Sequence, residues 1–263
     1  MIRNYEDFKN SIYEITKIDL NAYKERQMKR RIDALLARHK IKDYDAFVKE
    51  IKINKQLFDE FVTYLTINVS EFYRNIEQWD FLDKEVIPRL TNRFGTKLKI
   101  WSAACSTGDE PYSLVMALSK HMRLSNISIY ATDLDKNVLS HAKTGLYDEK
   151  SIKAVPLEFV EKYFTKVGRS YLISDEIKKC VKFSEHNLLL DKYDDDFHLI
   201  VCRNVLIYFT EDAKNMVFKK FSDSLRNNGV LFIGSTEQII NYKELGLSRM
   251  NSFFYEKINN KEL

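Results

Sequence analysis

The chain has 263 residues, 44% of them hydrophobic and 30% charged, with a net charge of +4, seven glycines and three prolines. That length suits one large domain or two small ones, and that composition excludes collagen-like and disordered classes. The opening MIRNYEDFKNSIYEI holds no unbroken apolar run, which excludes a signal peptide or membrane span there, and Cys105, Cys180 and Cys202 give neither a disulfide framework nor paired zinc spacing. A cytoplasmic protein with reduced thiols is expected. Without a secretion signal, the sequon Asn68-Val69-Ser70 is idle.

The N-terminal third reads as helical. DLNAYKERQMKRRIDALLARHK starts at a cap, Asp19 or Asn21, and sets Met28, Ile32, Leu35 and Leu36 on one stripe at helical spacing. The same stretch concentrates charge. Lys24, Arg26, Lys29, Arg30, Arg31, Arg38, Lys40 and Lys42 face only Glu25 and Asp33, so one segment carries a larger positive excess than the whole chain. DYDAFVKEI, KQLFDEFVTYLTI and IEQWDFLDKEVIPRL continue the amphipathic pattern, with Pro88 near the end of the last.

After Thr96 the period changes. KLKIWSAA, ISIYATD, FHLIVCRN and GVLFIGS read as apolar strands, alternating with the helical patterns PYSLVMALSKHM, DKNVLSHAKTG and EDAKNMVFKKFSDSLR. Such alternation predicts a parallel sheet covered on both faces, with SFFYEKI as a final strand. Between Tyr147 and His186 the alternation lapses. A short helix around PLEFVEKYF precedes YLIS and KKCVKFSEH, which read together as a small antiparallel insertion.

The chemistry concentrates at strand ends. WSAACSTGDEPYSL passes from a strand through a small-residue turn into a helix, where an open α/β sheet binds its ligands. The turn is neither GxxxxGK[ST] nor GxGxxG, and Asp109 and Glu110 at the helix start would repel a pyrophosphate while suiting an ammonium or sulfonium. Acidic residues also favour a helix start through its dipole alone. ISIYATD ends in Asp133, placed to accept both hydroxyls of a ribose, with Asp135 the better cap for the following helix. The three features together point to S-adenosylmethionine rather than a dinucleotide. Asn187-Leu188 offers an amide and an apolar flank for adenine. Arg203-Asn204 ends the next strand, and NVLIYF after it lacks the Pro-Pro run of nucleic-acid amino methyltransferases. Cys105 in the turn reads as a small packed thiol and His186 as structural; the histidines form no metal spacing.

Six blocks, INVSEFYRN, WSAACSTGDEPYSL, ATDLD, HNLL, CRNVLIYF and GVLFIGSTEQ, resemble in order and spacing the CheR chemotaxis receptor methyltransferases. The resemblance spans nearly the whole chain. It implies an α/β, Rossmann-like class I S-adenosylmethionine-dependent methyltransferase domain (residues 96–263) with an inserted antiparallel β-subdomain at about 147–186. A linker helix (76–95) and an all-α N-terminal domain (1–75) that docks the receptor precede it. It implies methylation of glutamate side chains on methyl-accepting chemotaxis receptors, and cofactor contacts from Asn68, Ser70, Arg74, Glu110, Asp133, Asn187, Leu188, Arg203 and Asn204. Ser70 stands where many relatives carry Thr, and Asp109 where Glu is common.

A glutamate side chain, with a pKa of about 4.3, is already ionised at neutral pH, so the enzyme needs alignment more than a general base. Arg74 could hold one oxygen of that carboxylate, and Tyr208 could orient it. The basic helix, through Arg26, Lys29, Arg30, Arg31 and Arg38, is the expected dock for a receptor helical bundle bearing glutamates. Some relatives dock on a receptor C-terminal pentapeptide through the β-subdomain; the short connection between TKVG and RSYLI favours independence from it. No metal, nucleic acid or membrane insertion is expected, and the protein is expected to be a monomer. The alternatives are a nucleic-acid methyltransferase using the basic helix on phosphates and a non-catalytic binding module.

Overall fold

The computed structural model describes Ile2 and residues 4–258. They form two compact units. One runs up to Asn68 and also takes Leu206–Met216; the other takes Val69–Val205 and the chain from Val217 onward.

The first unit is helical. α1 (Tyr5–Thr16) is capped by the Asn4 side chain, which accepts from the Asp7 N–H. α2 (Glu25–Arg38) buries Met28, Ile32, Leu35 and Leu36, the stripe its spacing predicts. It does not begin at Asp19. That side chain caps a separate 3-10 turn, Leu20–Ala22, and α2 starts after Lys24 with no side-chain cap. α3 (Tyr44–Ile53) and α4 (Lys55–Thr66) begin at Asp43 and Asn54, each accepting a first-turn N–H. Phe8, Ile12, Phe47, Phe61 and Leu65 complete the core, with the Phe47 and Phe61 rings 5.1 Å apart edge to face. The distant segment Leu206–Met216 joins this unit through backbone bonds: Lys24 N–H donates to the Tyr208 carbonyl (2.9 Å) and Thr210 N–H to that of Ala22 (2.8 Å). The Phe209 ring meets Tyr23 at 4.9 Å.

The second unit opens with α5 (Ile76–Phe81), which continues through a π turn, Leu82–Val86, into α6 (Ile87–Phe94). Pro88 lies near the start of α6, inside the continuous helix. A proline cannot donate to the preceding turn, and the wider turn before it absorbs that loss. Then follow β1 (Ile100–Ala103), α7 (Asp109–Ser119), β2 (Ile129–Asp133), α8 (Lys136–Thr144), β3 (Leu146–Asp148) and α9 (Leu157–Tyr163). β4 (Phe164–Val167), β5 (Ser170–Ile173), α10 (Asp175–Lys178), β6 (Val181–Glu185) and β7 (Phe197–Cys202) come next. α11 (Glu211–Ser224), β8 (Leu225–Ile233), β9 (Leu247–Arg249) and β10 (Phe254–Lys257) complete the chain.

The large sheet has the order β6-β2-β1-β7-β8-β10-β9, and β3-β5-β4 form a separate small one. β6, β2, β1, β7 and β8 run parallel; β10 is antiparallel to β8 and to β9. This is a Rossmann-like α/β arrangement with a small separate antiparallel sheet, as expected. One boundary differs from expectation. VKFSE belongs to the large sheet, not the insertion, and pairs in parallel with β2 from Ile129↔Val181 to Asp133↔Glu185. Only Val181 of this strand is buried, which suits an edge strand, and the lack of a long helix before it is what made it read as part of the insertion. The hairpin from β4 to β5 turns tightly at Gly168, whose φ is 62°. Trp101, Tyr112, Leu199, Val201 and Phe232 lie in the buried interior of this unit. No helix of the described residues is long and apolar enough to cross a membrane.

Candidate cofactor site

The five parallel strands place their carboxyl ends along one edge of the sheet, and the loops beyond that edge carry most of the residues singled out above. After β1, Ala104, Ser106 and Gly108 all take left-handed backbone conformations, with φ of 57°, 48° and 91°. The turn is therefore tight, and small side chains let a ligand reach its backbone. Cys105 N–H donates to the Thr132 carbonyl (2.9 Å), and Ser106 N–H to Asp133 Oδ2 (2.8 Å), which ties the turn to the end of β2. Cys105 itself is buried, in keeping with a packed thiol.

Asp133 accepts a second bond at Oδ1 from Asp135 N–H (3.0 Å) and is almost wholly buried. Burial lifts its pKa to about 6 against these backbone bonds. Asp135, not Asp133, caps α8, through Asn137 N–H at 2.8 Å. Glu110, in the first turn of α7, accepts from Ser102 Oγ (2.9 Å) and lies 3.7 Å from Arg203 Nη1. Burial pushes its pKa to about 7, with Arg203 opposing the shift. Its neighbour Asp109 is also buried and raised by desolvation; Thr107 and Ser70 hydrogen-bond to it.

Arg203 follows β7 and is 7% exposed. Its Nη2 donates to the Arg74 carbonyl (2.7 Å), Gln78 Oε1 (2.8 Å) and Asn75 Oδ1 (3.3 Å), and its guanidinium stacks 4.7 Å over Phe232. Desolvation is the largest influence on it and lowers its pKa. Asn204 adopts φ 61°, and its N–H donates to Glu237 Oε2 (3.0 Å). After β6, Asn187 Oδ1 accepts from Leu189 N–H (3.0 Å), an Asx turn that fixes the loop carrying half-buried Asn187 and buried Leu188. Arg74 is half-buried, and its Nη1 donates to the Val69 carbonyl (3.3 Å).

Ser70, Arg74, Glu110, Asp133, Asn187, Leu188, Arg203 and Asn204 all belong to the second unit, whereas Asn68, Tyr208 and the basic helix belong to the first. Asn68 Nδ2 donates to Thr66 Oγ1 (2.8 Å) just beyond α4. Tyr208 shares a concavity with Lys24, Gln27, Met28, Arg30, Arg31 and Ile67. The basic residues are not equivalent. Arg31 Nη2 donates to the Tyr64 carbonyl (2.6 Å) and its guanidinium lies 4.3 Å over the Tyr64 ring; Arg38 pairs with Glu60 (2.9 Å). Lys29 lies 5.4 Å over the Tyr5 ring, and Arg26, Lys29 and Arg30 are exposed.

Glu237 and Gln78, both buried within the Arg203–Asn204 network, carry no signal that single-sequence reasoning isolates. The first lies within a block quoted above only for its likeness; the second is one polar residue on an amphipathic helix.

The donor set fits S-adenosylmethionine. Three of the eight side-chain atoms buried without a hydrogen-bond partner among the described residues, Ser106 Oγ, Arg203 Nε and Asn204 Oδ1, belong to these loops, a costly state that a polar ligand would relieve. Desolvation holds the carboxyls of Glu110 and Asp133 above the ordinary carboxylate range, and such acceptors suit a cationic group and a diol.

Similarity to known proteins agrees. The CheR methyltransferase SAM binding domain matches residues 68–252, and the CheR methyltransferase all-alpha domain residues 3–66. The chain is 43% identical over 255 residues to a chemotaxis protein methyltransferase of Listeria innocua and 42% identical to that of Listeria monocytogenes, covering 97% of each chain in both cases. A chemotaxis protein methyltransferase of Borreliella burgdorferi is 32% identical over 251 residues, covering 89% of this chain and 87% of that one.

Proposed function

From the premise that the chain belongs to the CheR methyltransferase family, we propose that it methylates glutamate side chains of methyl-accepting chemotaxis receptors, giving methyl esters in chemotactic adaptation. The observation that carries this reading is the constellation of buried Asp133 and Arg203 with half-buried Glu110 and Asn204 at the carboxyl edge of the sheet.

S-adenosylmethionine, when bound, supplies a methyl group on a sulfonium centre. Asp133 accepts the ribose hydroxyls, and Asn187 and Leu188 flank the adenine. Glu110 takes the cationic end, with Ser102 and Arg203 keeping its carboxyl oriented. Ser70 and Arg74 line the same cofactor. A glutamate acceptor is ionised above its pKa of about 4.3, so no residue has to remove a proton. Arg74 orients the acceptor carboxylate through its planar fork. The helical N-terminal unit serves receptor docking, the exposed Arg26, Lys29 and Arg30 meeting acidic receptor helices. The tight β4–β5 hairpin favours an enzyme that needs no receptor pentapeptide.

The decisive assay offers labelled S-adenosylmethionine with a receptor signalling domain or with DNA. Label should enter the receptor only, and mild base should release it as methanol, the behaviour of an ester and not of an N-methyl group. Base-stable label, or label in DNA, would overturn the reading.

A further inference from the structure

The block GSTEQ that follows β8 has no part in the function described so far, yet it holds a buried carboxylate, Glu237, only 4% exposed. Its two oxygens collect backbone donors from two loops. Oε2 accepts from Gly234 N–H (2.8 Å) and Asn204 N–H (3.0 Å), and Oε1 from Val205 N–H (3.0 Å). The approach is close enough that a Cβ on Gly234 would lie 2.6 Å from the Asn204 nitrogen and 2.8 Å from Glu237 Oε2. Only glycine at 234 lets the loops after β7 and β8 meet.

These bonds fall on the stretch where Asn204 is held at φ 61°, a conformation that disfavours most side chains. The Asn204 Oδ1 left buried without a partner sits on that stretch, directly after Arg203. Without a carboxylate the three N–H groups would lose their acceptor and the left-handed turn its restraint.

We propose that Glu237 is a positioning residue for cofactor binding: through the N–H groups of Asn204, Val205 and Gly234 it locks the loop after β7 so that Arg203 and Asn204 meet S-adenosylmethionine preorganised. It touches the loop, not the reacting atoms. This rests on the reading that Arg203 and Asn204 belong to the cofactor site.

Glu237→Ala and Glu237→Gln test it by calorimetry with S-adenosylhomocysteine, alongside melting curves and steady-state kinetics with receptor. Glutamine keeps the shape but turns an amine toward at least one donor, so the dissociation constant should rise about three- to ten-fold; alanine should raise it ten-fold or more. The Michaelis constant for cofactor should rise in the same order while that for receptor stays at its wild-type value. Dissociation constants that match the wild type in folded variants, with only the melting temperature lowered, would overturn the proposal and leave Glu237 a structural clamp. Should alanine fail to fold, the glutamine variant decides by the same two constants. A wild-type protein that bound no S-adenosylhomocysteine would instead remove the cofactor site, and the proposal with it.

Discussion

The backbone N–H of Ser106 donates to Asp133 Oδ2 across 2.8 Å, so the turn after β1 and the carboxylate that ends β2 are fixed as one piece. A single side chain thus shapes the small-residue turn and presents an acceptor beyond the sheet edge.

Asp133→Ala should weaken S-adenosylhomocysteine binding by ~2–4 kcal/mol, since bonds to a charged acceptor contribute roughly 1.5–3 kcal/mol each and do not add. Titration calorimetry reads this directly. An unchanged dissociation constant in a folded variant would place the ribose elsewhere.

The raised carboxyls give the ligand-free protein and its complex opposite responses to pH. Glu110 titrates near 7 and Asp133 near 6 when folded, against about 4.3 and 3.9 when unfolded. Between roughly pH 4 and 7 the folded state therefore binds more protons than the unfolded one, and stability falls as pH rises through that window. Binding of a ligand bearing an ammonium needs Glu110 ionised, so affinity should climb from pH 6 to 8. Glu110→Gln should flatten the upper part of both profiles, measured by thermal melting and by S-adenosylhomocysteine titration. A variant with wild-type slopes would mean that Glu110 does not titrate there.

Arg74→Ala and Tyr208→Phe should lower the single-turnover methylation rate more than cofactor affinity, if both orient the acceptor carboxylate. Arg74 also serves the cofactor in this reading, so its variant should show a mixed effect. Wild-type rates in Tyr208→Phe would exclude its hydroxyl from the chemical step.

Docking charge is best tested at Arg26 and Arg30, which are exposed, and not at Arg31, whose guanidinium holds the Tyr64 carbonyl. Reversing both to Glu should raise the receptor Michaelis constant and leave S-adenosylhomocysteine affinity unaltered. Wild-type activity should fall with added salt, since surface charges are screened within ~8–10 Å, and the variant should respond less. Equal salt slopes would mean the charge only keeps the helix soluble.

Period and punctuation made most elements legible. The Met28–Leu36 stripe, the strand ending in Asp133 and the cap at Asp135 follow from local spacing, and local spacing survives folding. The failures share a cause. Asp19 does cap a turn, but a 3-10 turn intervenes before α2, a choice made by contacts around residues 20–24. VKFSE follows YLIS without a long helix between them, and only its pairing with β2 assigns it to the large sheet. Gln78 and Glu237 are ordinary polar letters until Arg203 and Asn204, more than thirty residues away in either direction, close around them.

The helical unit is discontinuous: the chain returns to it at Leu206–Met216, where Phe209 bridges Tyr23 and Thr210 binds Ala22. Exchange of this unit between relatives is therefore a two-segment graft. A chimera that took only the N-terminal residues from another family member would carry a foreign Tyr23 against a native Phe209, and a foreign Lys24 against a native Tyr208. Substrate preference, if it resides in these helices, should travel intact only when residues 206–216 travel with them.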